Sequence, residues 1–451
     1  MKDTMNLTSD PVPSLVKKVA IPASIGFFFN TMFNVVDTYF GGSISTQALA
    51  ALSLSFPVFF IIIALGSGIA TGSTALIATS LGSGNLKEAK MYAIQGVAFG
   101  VIVSLVLTYV GITASPFLFT LLGATDTYLD QSLLYMNTIF VGSILFIVNY
   151  MLNSILNALG DTVSFRNFLI IAFFLNIMLD PWFIFGGLGL PAMGIVGIAV
   201  ATLCVELIGV FYLGFRVSAT KLVCDRCSKD IIPKARAFKN IAYQGLPSSL
   251  NMVTVGLGIF VIMYFVSMFG KEAVAAYGVA TRVEQIVLLP TIGLNVATVT
   301  LVAQNNGAKL YNRVYETVGT ALKYGAWCMA AGTIFVFVLA ERLMGLFTPD
   351  VEVIHIGTTY LRIAAFVLYA YVILYVNIAA LQGLKRPMFG LFIGTCRQII
   401  FPFGIFYLLT RLFDFALLGI WWGIFGITWS AALVALFYSR YILKNVSMLC
   451  R

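Results

Sequence analysis

Of 451 residues, 60% are hydrophobic and only 10% are charged. That balance excludes a water-soluble globular chain and implies a polytopic membrane protein, because apolar runs near twenty residues recur throughout. The formal charge of +9 does not point to nucleic acid, since the basic residues fall in alternate loops.

The N-terminal segment MKDTMNLTSDPVPSLVKK is polar and has no short apolar region followed by a small-residue cleavage site, so no cleaved signal peptide is expected. Apolar periodicity predicts twelve helices, at about 16–42, 47–80, 88–113, 130–158, 164–186, 191–216, 238–268, 273–304, 314–340, 354–382, 388–410 and 416–441. Lys17 and Lys18 are read as preceding the first. Lys87, Lys90, Arg166, the run Lys221, Arg226, Lys229, Lys234, Arg236 and Lys239, then Lys309, Arg313, Lys385, Arg386, Arg440 and Lys444 occupy every second connection. This asymmetry places both termini in the cytoplasm and the chain in the cell (inner) membrane. Cys224 and Cys227 form a lone CxxC without a second pair of ligands, and His355 is the single histidine, so no metal or histidine-based catalytic cluster is expected.

The loop 217–237 divides the spans six and six, giving an expected N-terminal lobe at 1–216 and a C-terminal lobe at 238–451. The halves repeat. IPASIGFFFNTMFNVVDTYFGG, from Ile21, aligns without a gap on the segment from Leu246, so Pro22 falls on Pro247, Tyr39–Phe40 on Tyr264–Phe265 and, further on, Gly68 on Gly293. Six helices per half in one orientation make parallel repeats, and two such bundles around a central cavity form a transporter design. The predicted class is all-α, twelve transmembrane helices in two six-helix bundles. The repeat fails at Asp37, which falls on Ile262.

The first half carries a polar core. Asn30, Asn34 and Asp37 share one face of the first helix, Asn149, Asn153 and Asn157 one face of the fourth, and Asn176 and Asp180 stand one turn apart on the fifth. The sixth offers Thr202 and, a turn on, Glu206. A carboxylate in the bilayer costs at least ~2.5–3.5 kcal/mol on insertion scales and is a functional candidate by default. Two carboxylates among amide and hydroxyl oxygens suit a hard monovalent cation, or one shared proton, because two close carboxylates resist ionising together. Pro22 interrupts the helix ladder near the start of the first span, and Gly26 adds little stiffness, so the pair is a candidate hinge. In the second half, Arg282 and Glu284 are two apart and do not face each other. Lys323, Arg362 and Arg397 are read as structural, snorkelling or paired.

The residues Pro22 with NVVDTYFGG from Asn34, GSGIATGSTALIATSLGSGN from Gly66, NALGDT from Asn157, NIMLDPWFIF from Asn176 and GIVGIAVAT from Gly194 resemble the multidrug and toxic compound extrusion (MATE) family across essentially the whole chain. The resemblance implies outward pumping of amphipathic and cationic compounds in exchange for protons or sodium ions. It also implies a cation site of Asp37, Asn176, Asp180 and Thr202, the place for a sodium ion if one is used, in a cavity bordered by Tyr135 and Asn153. Asn34 and Asn157 extend the cavity candidates. Helices seven and ten lack acids, which resembles the DinF-type branch rather than the NorM-type and favours protons. The expected partners are small drug-like molecules and the bilayer, with no nucleic acid, no cofactor and a monomeric state. The alternatives are a flippase for a lipid-linked precursor, for which twelve helices and an acidic cavity fit less well, and an intramembrane aspartyl enzyme using Asp37 and Asp180 as a dyad.

Overall fold

A computed structural model describes residues 5–121, 124, 126–187, 189–220, 222 and 232–448. Cys224, Cys227 and most of the basic run of the mid-chain loop lie outside them. The elements are α1 Val12–Ile44, α2 Thr46–Gly82, α3 Leu86–Leu121, α4 Asp126–Val141, α5 Ser143–Ala158, α6 Val163–Phe185, α7 Ile195–Ser218, α8 Ala235–Ser267, α9 Lys271–Gly307, α10 Tyr311–Gly345, α11 Val351–Ala365, α12 Leu368–Gly383, α13 Met388–Thr395, α14 Phe401–Tyr407 and α15 Ala416–Met448. Among the described residues ten spans are long and apolar enough to cross a membrane, and two bent helix pairs raise the total to twelve. Ends are set by local chemistry: Ser45 Oγ accepts from the Ala48 amide at 3.0 Å to open α2, and Asp350 Oδ1 accepts from the amides of Glu352 and Val353 to open α11.

Three of the predicted spans differ in detail. The fourth is two helices, α4 and α5, bent by 45°, and the tenth is α11 and α12, bent by 50°. Each bend frees backbone carbonyls that a threonine of a neighbouring helix satisfies. Thr108 Oγ1 donates to the Phe140 carbonyl at 2.7 Å, and Thr333 Oγ1 donates to the Ala365 carbonyl at 2.7 Å. Both contacts sit at the register offset that relates Pro22 to Pro247, so the bend is a feature of the repeat. The eleventh span is α13 and α14 with π-helical turns at Cys396–Ile400 and Leu408–Leu412. Lys17 and Lys18 lie inside α1 rather than before it, and the Lys17 ammonium stands 5.0 Å from the Tyr324 ring centroid.

The chain forms two compact units, Met1–Ser24 with Leu250–Arg451, and Ile25–Ser249. The boundaries of these units fall inside α1 and α8. Within the first unit, Leu15, Val16, Val19 and Ala20 pack on Leu294, Ala297 and Leu301 of α9, and Arg313 ties down the segment before α1 by donating to the Asp10 carbonyl at 2.6 Å. Gly293 of α9 lies against Ala20 and Ser24 so closely that a Cβ there would collide with both. Within the second unit, Gly68 of α2 lies in the same way against Ser249 of α8. Ser24 and Ser249 are repeat equivalents, as are Gly293 and Gly68. Each unit thus takes in the opening half of the other half-sequence's leading helix, and in both a glycine–serine contact is part of the seam, the small-residue packing used where lipid supplies no hydrophobic drive between helices.

Candidate functional site

Within the second unit, α1 and α6 place Asp37, Asn176 and Asp180 together. The Asn176 amide nitrogen donates to Asp37 Oδ1 at 2.9 Å and to Asp180 Oδ1 at 3.0 Å. The one amide thus holds the two carboxyl groups near each other. Asn176 and Asp180 are fully buried, and Asn176 Oδ1 and Asp180 Oδ2 have no hydrogen-bond partner. Buried acceptors in a low-dielectric interior call for a donor or a cation, and this arrangement has room in its chemistry for either. Two carboxylates this close accommodate one shared proton, or a monovalent cation between hard oxygen donors.

Pro181 follows Asp180 directly inside α6 and removes one backbone hydrogen bond of that helix beside the carboxylate. Thr202 lies on α7, which packs tightly on α6: Gly197 lies so near Phe183 that a Cβ would come within 2.7 Å of its carbonyl carbon. Thr202 is buried, but its hydroxyl donates to the Ile198 carbonyl of its own helix at 2.9 Å and not to the carboxylates. Tyr135 of α4 is buried within electrostatic reach of both Asp37 and Asp180.

The asparagine stripes divide. Asn34 donates to the Asn30 carbonyl at 2.8 Å, satisfying its own helix rather than the carboxylate group. Asn153 is buried with Oδ1 unpartnered, and Asn157 is half-buried one turn further along α5. Asn149 holds Glu206, donating to its Oε2 at 2.6 Å and to its carbonyl at 2.8 Å, so Glu206 is tied into the helix bundle. Pro22 lies ten residues inside α1, which is helical across it. Gly26 serves packing: a Cβ there would stand 3.2 Å from Arg166 Cα on α6. Among the described residues no group of three or more His, Cys, Asp or Glu could hold a metal ion.

A second buried polar group, in the first unit, escaped the sequence reading. Tyr360 Oη donates to Glu284 Oε2 at 2.8 Å, Tyr277 and Trp421 pack around that tyrosine, and the Tyr371 hydroxyl stands beside both Glu284 and Arg397. Arg397 sits on the π-helical turn with its guanidinium over the Tyr371 ring. The members come from α9, α11, α12 and the eleventh span, so no spacing within one helix reveals them; only the rarity of ionisable residues in a span is a signal.

A family model described as MatE matches the chain twice, at residues 22–182 and 247–408, the two halves of the repeat. The chain is 29% identical over 400 residues, 89% of its length and 88% of the other's, to an FAD transporter of Shewanella oneidensis. It is 26% identical over 441 residues, 96% and 94% of the two lengths, to a probable multidrug resistance protein NorM of Thermotoga maritima. Its fold superposes with a TM-score of 0.92 on a MATE solved in a bent conformation, 25% identical and 98% covered on both sides, and equally on a transporter of the MOP superfamily from Pyrococcus furiosus, at 24% identity and 99% coverage of each. With both halves matched, the chain belongs to the MatE family of membrane transporters, not to the enzymes.

Proposed function

We propose that the protein is a multidrug efflux antiporter of the cell membrane, with both termini in the cytoplasm. It exports amphipathic and cationic compounds in exchange for protons, or for sodium ions, by alternating access. The observation that carries this reading is the single Asn176 amide shared by two carboxylates, with Asn176 Oδ1 and Asp180 Oδ2 buried and unpartnered. Such a group has two charge states that demand different partners, which is what exchange requires. Names of relatives support the drug class, among them a multidrug export protein MepA of Staphylococcus aureus, 25% identical over 358 residues. Drug efflux from everted vesicles under an imposed proton gradient, repeated with a sodium gradient, tests the reading. Uptake driven by one gradient is expected, and none under either contradicts it. The same assay with FAD tests a second reading, favoured by the Shewanella relative.

Asp180→Asn is expected to keep drug binding while shifting the pH at which efflux is half-maximal, since it leaves Asp37 to hold the proton alone. An unchanged pH profile argues against a shared proton. The helix α1 is the moving part in this scheme, bending at Pro22. Pro22 withdraws a backbone hydrogen bond about 22 Å before Asp37, at about 1.5 Å per residue, and a helix so weakened has straight and bent shapes separated by little energy. Pro22→Ala is expected to slow efflux several-fold with drug affinity retained, and a fully active variant removes the hinge from the scheme.

A further inference from the structure

A cavity of about 350 Å³ opens between α10, α12 and α15 of the first unit, lined by Tyr315, Val318, Gly319, Leu322, Asn377, Leu436, Arg440, Leu443 and Lys444. Three things about it are not explained by transport. Its rim is basic: Arg440 and Lys444 stand one turn apart on the last helix and are exposed, and none of the lining residues is acidic. Its floor holds a buried acceptor with nothing to accept: Asn377 is 1% exposed, its amide nitrogen donates to the Ile373 carbonyl at 2.7 Å, and its Oδ1 has no partner. Its walls are apolar, and Gly319 leaves them open, since a Cβ at that position would meet nothing within 4 Å.

We propose that this cavity seats the headgroup of an anionic glycerophospholipid of the cytoplasmic leaflet. The phosphate lies against Arg440 and Lys444, a headgroup hydroxyl donates to Asn377 Oδ1, and the acyl chains leave along Val318, Leu322 and Leu436. The chemistry selects this occupant in three ways. Basic pockets between membrane helices at the cytoplasmic surface attract anionic headgroups. An unpaired carbonyl oxygen calls for a hydroxyl donor, which glycerol supplies and choline does not. The apolar walls at the end of a membrane span adjoin the bilayer, so the ligand with a phosphate at one end and hydrocarbon at the other fits without a desolvated remainder. The position is also consistent with the positive-inside distribution, in which Arg440 and Lys444 belong to a cytoplasmic end.

The test uses the full-length protein in nanodiscs of equimolar phosphatidylcholine and phosphatidylglycerol, with the retained lipids measured by native mass spectrometry. Phosphatidylglycerol is expected to be retained over phosphatidylcholine by roughly tenfold, from two basic residues near the surface. Arg440→Gln with Lys444→Gln should bring the ratio near one. Gly319→Leu fills the cavity while keeping both charges and a helix-favouring residue, and it should lower the retention in a protein whose melting behaviour is unchanged. Addition of inorganic phosphate should leave the bound lipid in place. A ratio that persists in both variants, or lipid displaced by inorganic phosphate, overturns the proposal; the second outcome identifies a site for free anions.

Discussion

Asp37→Asn is expected to reduce active efflux to the level of vesicles without the protein, while the variant accumulates in the membrane as the wild type does. Asparagine has nearly the same shape, and its Oδ1 can still accept from the Asn176 amide that now reaches Asp37 Oδ1 at 2.9 Å. Removing a half-buried charge while keeping the hydrogen bond leaves stability within about 1 kcal/mol. What the variant loses is the ability to change charge, and with it the difference between the two states that a driving ion must bias. A drug-sensitive host fully protected by Asp37→Asn contradicts the assignment. Drug binding measured on the purified variant separates loss of coupling from loss of substrate.

Gly293→Leu is expected to be the most disruptive single change outside the carboxylate site. The opening half of α1 lies on Gly293 through the Ala20 carbonyl and Ser24, whose amide nitrogen would stand 3.0 Å from a new Cβ. Neither backbone group can move without moving α1. Overpacking costs about 1–3 kcal/mol where side chains yield, and roughly 3 kcal/mol or more is expected where only backbone can. The melting temperature of the purified protein should fall and efflux with it. Gly68→Leu, the repeat equivalent, should do the same to the contact with Ser249. Unchanged stability in both variants contradicts the close-contact account of how each unit holds its borrowed half-helix.

Much of this was legible in the amino-acid order. Apolar length shows the spans, and the ungapped match of Pro22 with Pro247 shows the repeat. The spacing of Asn176 and Asp180 shows a polar face, which the structure joins to Asp37. Three features were hidden because they depend on neighbours in space. The bends after α4 and α11 lie within continuous apolar runs, and only the threonines at 108 and 333, on other helices, show how the freed carbonyls are satisfied. The place of each opening half-helix within its unit depends in part on a glycine touching a serine, neither distinctive in sequence. The Glu284, Tyr360, Tyr371 and Arg397 group is assembled from three spans, two of its members lying on either side of the bend in the tenth, so each member alone reads as an isolated polar residue. At Gly26 the sequence shows only the missing side chain, and the structure adds that it lies close against Arg166.

Coupling between drug and proton is reciprocal, so a drug that is exchanged for a proton must displace one on binding. The direct measurement is the proton release when a transported cation is added to purified, lightly buffered protein, for the wild type and for Asp37→Asn combined with Asp180→Asn. The shared carboxylate site predicts release by the wild type and none by the double variant, at drug concentrations where both still bind. Equal release by the two proteins contradicts it, because the proton must then come from outside the group that Asn176 holds together.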